Sequence, residues 1–205
     1  YWLAAGLFLF VVITSVQWIP LLHTAFDSSR LAEAALWNIP GWFLPWSHLV
    51  QYVAPDFFGN PATMNYFGVW NYGEFIGYIG IAGLIFAGFA LFLWKRAELR
   101  FWIAALAVAL LFLLPTPIAR LPYILDIPFL SALQPTRLTM VVDFALAILA
   151  AYGFDAWQKT KGKQIRYVLV GFGIILAVLW GVAISQNVQV SQRNLIVPTA
   201  IYLAT

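Results

Sequence analysis

The sequence predicts an all-α polytopic membrane protein of about five transmembrane helices, and three observations carry that expectation. Of its 205 residues, 63% are hydrophobic and 9% charged, against about 25% charged in a soluble domain whose surface faces water. The apolar residues gather in runs of roughly 20, the length a helix needs to cross about 30 Å of hydrocarbon. Lys and Arg concentrate in two short stretches between those runs.

The runs form a single membrane domain over 1–205. The first, 1–22, has one late proline, Pro20, and no charge. The second, 74–94, is apolar after Glu74, and the third, 101–118, ends on Pro115 and Pro117. The fourth, 138–157, contains Asp143; the fifth, 167–184, is free of charge. A sixth starts near Leu195. The chain opens at Tyr1 without a methionine and stops inside apolar sequence, so it is expected to be an internal piece of a longer polytopic protein, with no secretory-signal order at its start.

Orientation follows from basic residues, which favour cytoplasmic loops. Lys95, Arg96 and Arg100, with Lys159, Lys161, Lys163 and Arg166, make seven of the eleven. This places 95–100 and 158–166 in the cytoplasm, and 23–73, 119–137 and 185–194 outside. The outer loop 23–73 is far longer than most connections. It carries Trp37, Trp42, Trp46 and Trp70 among many other rings, and is expected to lie on the membrane surface as short helices broken at 39–45. With the proline-punctuated 119–137 it would roof a cavity at the outer leaflet.

Several classes are excluded. Cysteine is absent, which removes disulfides and thiolate metal sites. A net charge of +3 with dispersed basic residues gives no nucleic-acid footprint. No Walker loop, GxSxG or HExxH is present, and His23 and His48 lack ligand-like spacing.

Polar groups at the outer edge are the site candidates. Glu74 opens the second run, with Tyr78 one helical turn on and Gly73, Gly77, Gly80 and Gly83 allowing close approach. As an acid in a first helical turn, Glu74 also complements the helix dipole. Asp143, inside a run, needs a neutralising partner or water, expected from another helix because Arg137 is six residues away and off the i, i+4 face. Arg137 and Arg120 either fork onto a phosphate or snorkel to headgroups. Asp27 caps a surface helix in "DSSRLAEAAL". Asp56, Asn60 and Asn65 are turn formers that also suit sugar hydroxyls.

The order "SVQWIPLLHTAFDSSR", "PDFFGNPATMNYFGVWNYGEFIGYIGIAGL" and "LPYILDIPFLSALQPTRLTMVVDFALAILAAYGFD" resembles the YfhO-like bacterial membrane proteins over most of 11–157. That resemblance implies a GT-C-type fold and sugar transfer from a polyprenyl-phosphate donor to an extracytoplasmic cell-envelope polymer. Carried over by position, Glu74 and Tyr78 match an E-x-x-x-Y motif, Arg137 the arginine before a span, and Asp56 the P-x-F-F-G loop. The candidate substrate-binding set is Glu74, Tyr78, Arg137, Asp56 and Asn71, with Arg137 on the lipid phosphate, Glu74 on sugar or acceptor, and a divalent metal as an open cofactor. The family's catalytic acid is expected in a segment preceding this chain. A lipid or sugar transporter and a non-catalytic membrane subunit are the alternatives.

Overall fold

A computed structural model describes residues 2–26, 37–70, 72–127, 130–160 and 164–205. Among them the chain is helical without strands. The α-helices in order are α1 (Trp2–Phe26), α2 (Tyr72–Phe75), α3 (Ile81–Leu91), α4 (Ala97–Leu113), α5 (Pro117–Ile124), α6 (Thr139–Thr160), α7 (Gln164–Ser185) and α8 (Gln189–Ala204). Short 3-10 turns cover Trp46–Tyr52, Pro61–Thr63 and Pro135–Leu138. The expected capped helix at Asp27 and the residues Lys161 and Lys163 lie outside the described residues.

Three helices are long and apolar enough to cross a membrane, at Leu3–Thr24, Pro135–Lys159 and Gln164–Ser185. A fourth is added if α4 and α5, bent across their junction, count as one. The expected continuous span over 74–94 is instead broken. Helix stops at Phe75, residues 76–80 are non-helical, and α3 resumes after Gly80 at φ +87°, a conformation glycine adopts without a Cβ clash. With 11 residues, α3 is only about 16 Å long.

The chain divides into two compact units, one of 1–39 with 121–133 and one of 40–120 with 134–205. In the smaller unit α1 is apolar on all sides and unburied. Its hydroxyls bond back onto its own carbonyls, Thr14 to Phe10 at 2.6 Å and Ser15 to Val12 at 2.6 Å, so these hydroxyls are satisfied within the helix. Trp37 stacks on Tyr123 at 5.8 Å, and the Tyr123 hydroxyl donates to the Leu133 carbonyl.

The larger unit is a helix bundle. α3 and α6 run in the same direction: Gly77 lies beside Asp143, and Phe86 meets Phe154 and Trp157. Lipid does not squeeze helices together as water does, so close packing through small residues must do it. Gly153 sits on the Phe86 carbonyl, with Ala87, Ala90, Leu99 and Leu149 buried around it. α4 packs antiparallel on α6, so Leu99 meets Leu149 while Ala109 and Leu113 meet Val142. α7 joins through Phe172 and Leu176 against Ile81 and Ile85. It ends in left-handed Asn187 (φ 52°), where the Val188 amide reaches back to Ala183 at 3.0 Å, a six-to-one helix stop.

The middle of the aromatic connector, expected on the membrane surface, is part of the core. Leu44 and Tyr52 pack with α4 and α6, Val53 with α3 and α7, and Ala54 and Phe57 with α7 and α8. The Leu44 amide donates to the Leu113 carbonyl at 3.0 Å. Trp42 is buried, while Trp46 and Trp70 stay about half exposed. A chain with 63% hydrophobic residues fills its helix gaps from the connector because those rings gain more contacts inside than at the interface.

Candidate functional site

Two polar groupings stand at the end of the larger unit built by the connector, residues 134–139 and the start of α8. The first surrounds Glu74. Pro135 opens a 3-10 turn that feeds α6, setting Thr136, Arg137 and Thr139 against α2. Arg137 Nη2 lies 2.8 Å from Glu74 Oε1, and the Thr136 hydroxyl donates to Oε2. Thr139 Oγ1 donates to the Glu74 carbonyl at 3.2 Å. Both carboxylate oxygens are therefore taken by protein donors. Glu74 and Arg137, expected to hold separate parts of a substrate, are each other's partner. Arg137 remains 67% exposed, so its other N–H groups face outward.

Tyr78 does not join them. A Glu and a Tyr four apart share a face only on a helix, and the helix ends at Phe75. Tyr78 packs instead against the cluster of Val53, Ile81, Phe172 and Leu176. Asn71 lies outside the described residues.

The second grouping is a hollow of about 340 Å³ lined by Asp56, Asn60, Thr63, Asn65, Gln189, Val190, Arg193 and Asn194, a volume within the range of small-molecule sites. Its floor is the turn 56–65. Asn60 caps the Pro61–Thr63 turn by accepting from the Ala62 amide at 2.9 Å, and Asn65 Oδ1 accepts from the Asn60 amide at 2.8 Å and the Thr63 hydroxyl at 2.7 Å. Gly59, at φ +83°, leaves room for the Asn65 carbonyl. The wall is the first turn of α8, fastened by Ser191 Oγ donating to the Phe57 carbonyl at 2.7 Å and by Asn194 Nδ2 donating to the Asp56 carbonyl.

Asp56 is the charged acceptor of this hollow. Tyr72 donates its hydroxyl to Oδ1, and Asn60 Nδ2 donates to the same oxygen at 3.1 Å. Among the described residues no hydrogen bond falls on Oδ2. Burial, helped by the Asp56 carboxylate beside it, pushes the Tyr72 hydroxyl up to about 12, so Tyr72 is a fixed donor at neutral pH. Arg193 is exposed at the rim, and no ion pair reaches it among the described residues.

His48 is structural. It is 1% exposed, with Nδ1 2.6 Å from Gln51 Oε1 and Nε2 accepting from the Val69 amide at 3.3 Å. Phe58 stacks on its ring at 4.4 Å and Phe75 meets it edge-on. Burial lowers its pKa despite the opposing hydrogen bond to Gln51. Among the described residues no three of His, Asp and Glu converge as a metal-binding set.

Sequence reasoning found Asp56, Asn60 and Asn65 but missed Thr136, Thr139, Gln189, Arg193 and Asn194. The amide-rich "QVSQRN" at the head of α8 was the available signal for the last three. Comparison with protein-family models, curated proteins and solved structures gives no match.

Proposed function

We propose that this chain belongs to a multi-pass cell-membrane protein of the YfhO-like, GT-C glycosyltransferase type. In this reading a sugar passes from a polyprenyl-phosphate donor to an extracytoplasmic cell-envelope acceptor, and five crossings are completed by the α3 and α4 regions. The supporting observation is the hollow at Asp56. Its amides, hydroxyl and carboxylate offer both donors and acceptors, as the hydroxyls of a sugar require. Asp56 Oδ2 accepts a sugar hydroxyl while Tyr72 and Asn60 hold Oδ1 in place, and Asn60, Asn65 and Gln189 complete the set. In transfer, the acceptor oxygen bonds to the anomeric carbon, its proton passes to a carboxylate, and the lipid phosphate departs with the bonding electron pair. In this reading the exposed N–H groups of Arg137 meet that phosphate.

The test is transfer by the full-length protein from defined polyprenyl-phosphate sugars. Asp56→Asn is expected to lower turnover at least tenfold with unchanged expression; undiminished transfer by this variant overturns the assignment.

The broken helix at 76–80 favours a second reading, a lipid or sugar transporter, since discontinuous spans line transport sites. Flux of a labelled sugar into vesicles containing the protein, without any acceptor, would support that reading over the first.

A further inference from the structure

The interruption at 76–80 faces Asp143. A Cβ built on Gly77 would stand 2.6 Å from Asp143 Oδ1 and 2.3 Å from the Tyr52 ring, so carboxylate and phenol both close on this stretch of backbone. Among the described residues the carbonyls of Gly77, Tyr78 and Ile79 accept no backbone hydrogen bond. Asp143 Oδ1 is a buried atom with no hydrogen-bond partner among those residues. The Tyr52 hydroxyl lies towards Thr139 and Asp143 but makes no hydrogen bond of normal geometry.

Each of these groups is costly to leave bare. Non-helical backbone at membrane depth persists only where protein or a hydrated cavity takes up its polar atoms. A carboxylate in a span needs a counter-charge, a proton or water. Among the described residues no cation pairs with Asp143: Arg137 is held by Glu74, and the other ion pair is Asp155 with Lys159. The oxygens are hard ligands, and one carboxylate among neutral oxygens balances one positive charge. A Ca²⁺ site gathers six to eight oxygens, usually with several carboxylates, and no cluster of three acids or histidines is found among the described residues.

We infer that Asp143, the backbone oxygens of Gly77–Ile79 and the Tyr52 hydroxyl form a binding site for one monovalent alkali cation. The site stands apart from the Asp56 hollow and does not depend on the transferase reading. Unwound segments of spans, with their free carbonyls, are the usual ligands for such ions in membrane proteins. A bound cation would clamp α6 to the connector and to the break before α3.

The test is the melting temperature of the purified chain in detergent, followed by tryptophan fluorescence. NaCl or KCl is titrated against choline chloride at constant ionic strength. For the native chain one alkali cation is expected to raise Tm saturably, by roughly 5 °C at a hundredfold excess over its dissociation constant. Asp143→Asn is expected to abolish the dependence without lowering Tm in choline, and Tyr52→Phe to shift the midpoint several-fold towards higher concentration. Should Asp143→Asn fail to fold, Tyr52→Phe carries the test alone. Equal Tm in all three salts overturns the inference. So does a Tm that responds to pH but not to cation, which would assign Asp143 to protonation instead.

Discussion

Arg137 Nη2 meets Glu74 Oε1 at 2.8 Å, joining the start of α6 to the short helix that follows the connector. The pair is lopsided, with Glu74 mostly covered and Arg137 open. For an arginine this exposed, screening by water leaves about 0–1 kcal/mol of stability in the contact. Fold and function therefore separate cleanly here. Arg137→Ala is expected to shift Tm by no more than a few degrees while abolishing sugar transfer in the full-length protein. Unchanged turnover with the small Tm shift would reduce Arg137 to a tether for Glu74.

Glycine substitutions should change sign along the chain. A Cβ on Gly153 would fall 2.0 Å from the Phe86 carbonyl oxygen, a backbone atom that cannot step aside. Gly153→Ala is therefore expected to push α3 from α6 and cost about 1–3 kcal/mol or more. Gly171 and Gly181, inside α7, meet nothing within 4 Å. Alanine there removes a helix-interior glycine, and a gain of about 0.5–1 kcal/mol each is expected. Thermal unfolding of the three variants in one detergent checks both signs.

Those glycines also mark what was legible in the sequence. Apolar runs located α1, α6 and α7 because each run is long, continuous and free of internal breaks. The same counting joined Glu74 to the helix beyond it, since Gly77 and Gly80 are as compatible with a packed helix as with a break. What decides between them is Tyr52 and Asp143 closing on Gly77, which is tertiary. The Asp56 hollow was half legible. Its floor is local, and turn formers announce it; its wall comes from α8, more than 130 residues later, and no local pattern brings Ser191 to Phe57.

That long-range fastening is itself testable. Ser191 is buried and its hydroxyl donates to the Phe57 carbonyl at 2.7 Å. Ser191→Ala leaves a buried carbonyl short of a donor, at an expected cost of about 1–3 kcal/mol. Because the bond sets the wall of the hollow, ligand affinity should fall along with Tm. Arg193→Ala, at the exposed rim, should leave stability within about 0.5 kcal/mol of native and alter affinity alone. Isothermal titration with soluble sugar phosphates, beside thermal melts, separates the two effects.

His48 gives the pH dependence. Its ring is buried between Phe58 and Phe75, and burial holds its pKa below the usual 6.5. The neutral ring is the form the fold uses: Nε2 accepts from the Val69 amide while Nδ1–H donates to Gln51. A lowered folded pKa means that the unfolded chain binds the proton first, so stability increases with pH between the folded value and 6.5. This contribution is fully present above about 6.5 and is lost as pH falls through the depressed folded value. Acidification should first loosen the junction of 45–55 with 67–70, because protonation of Nε2 destroys its acceptor role towards Val69. Hydrogen-exchange protection of the Val69 amide, the intrinsic rate relative to the observed rate at the same pH, is expected to fall below pH 6.5 in the native chain. In His48→Phe protection should already be low at neutral pH and independent of pH. Native protection that does not change with acid would show that the ring stays neutral or that its proton is accommodated, and would remove His48 as the source of any acid lability.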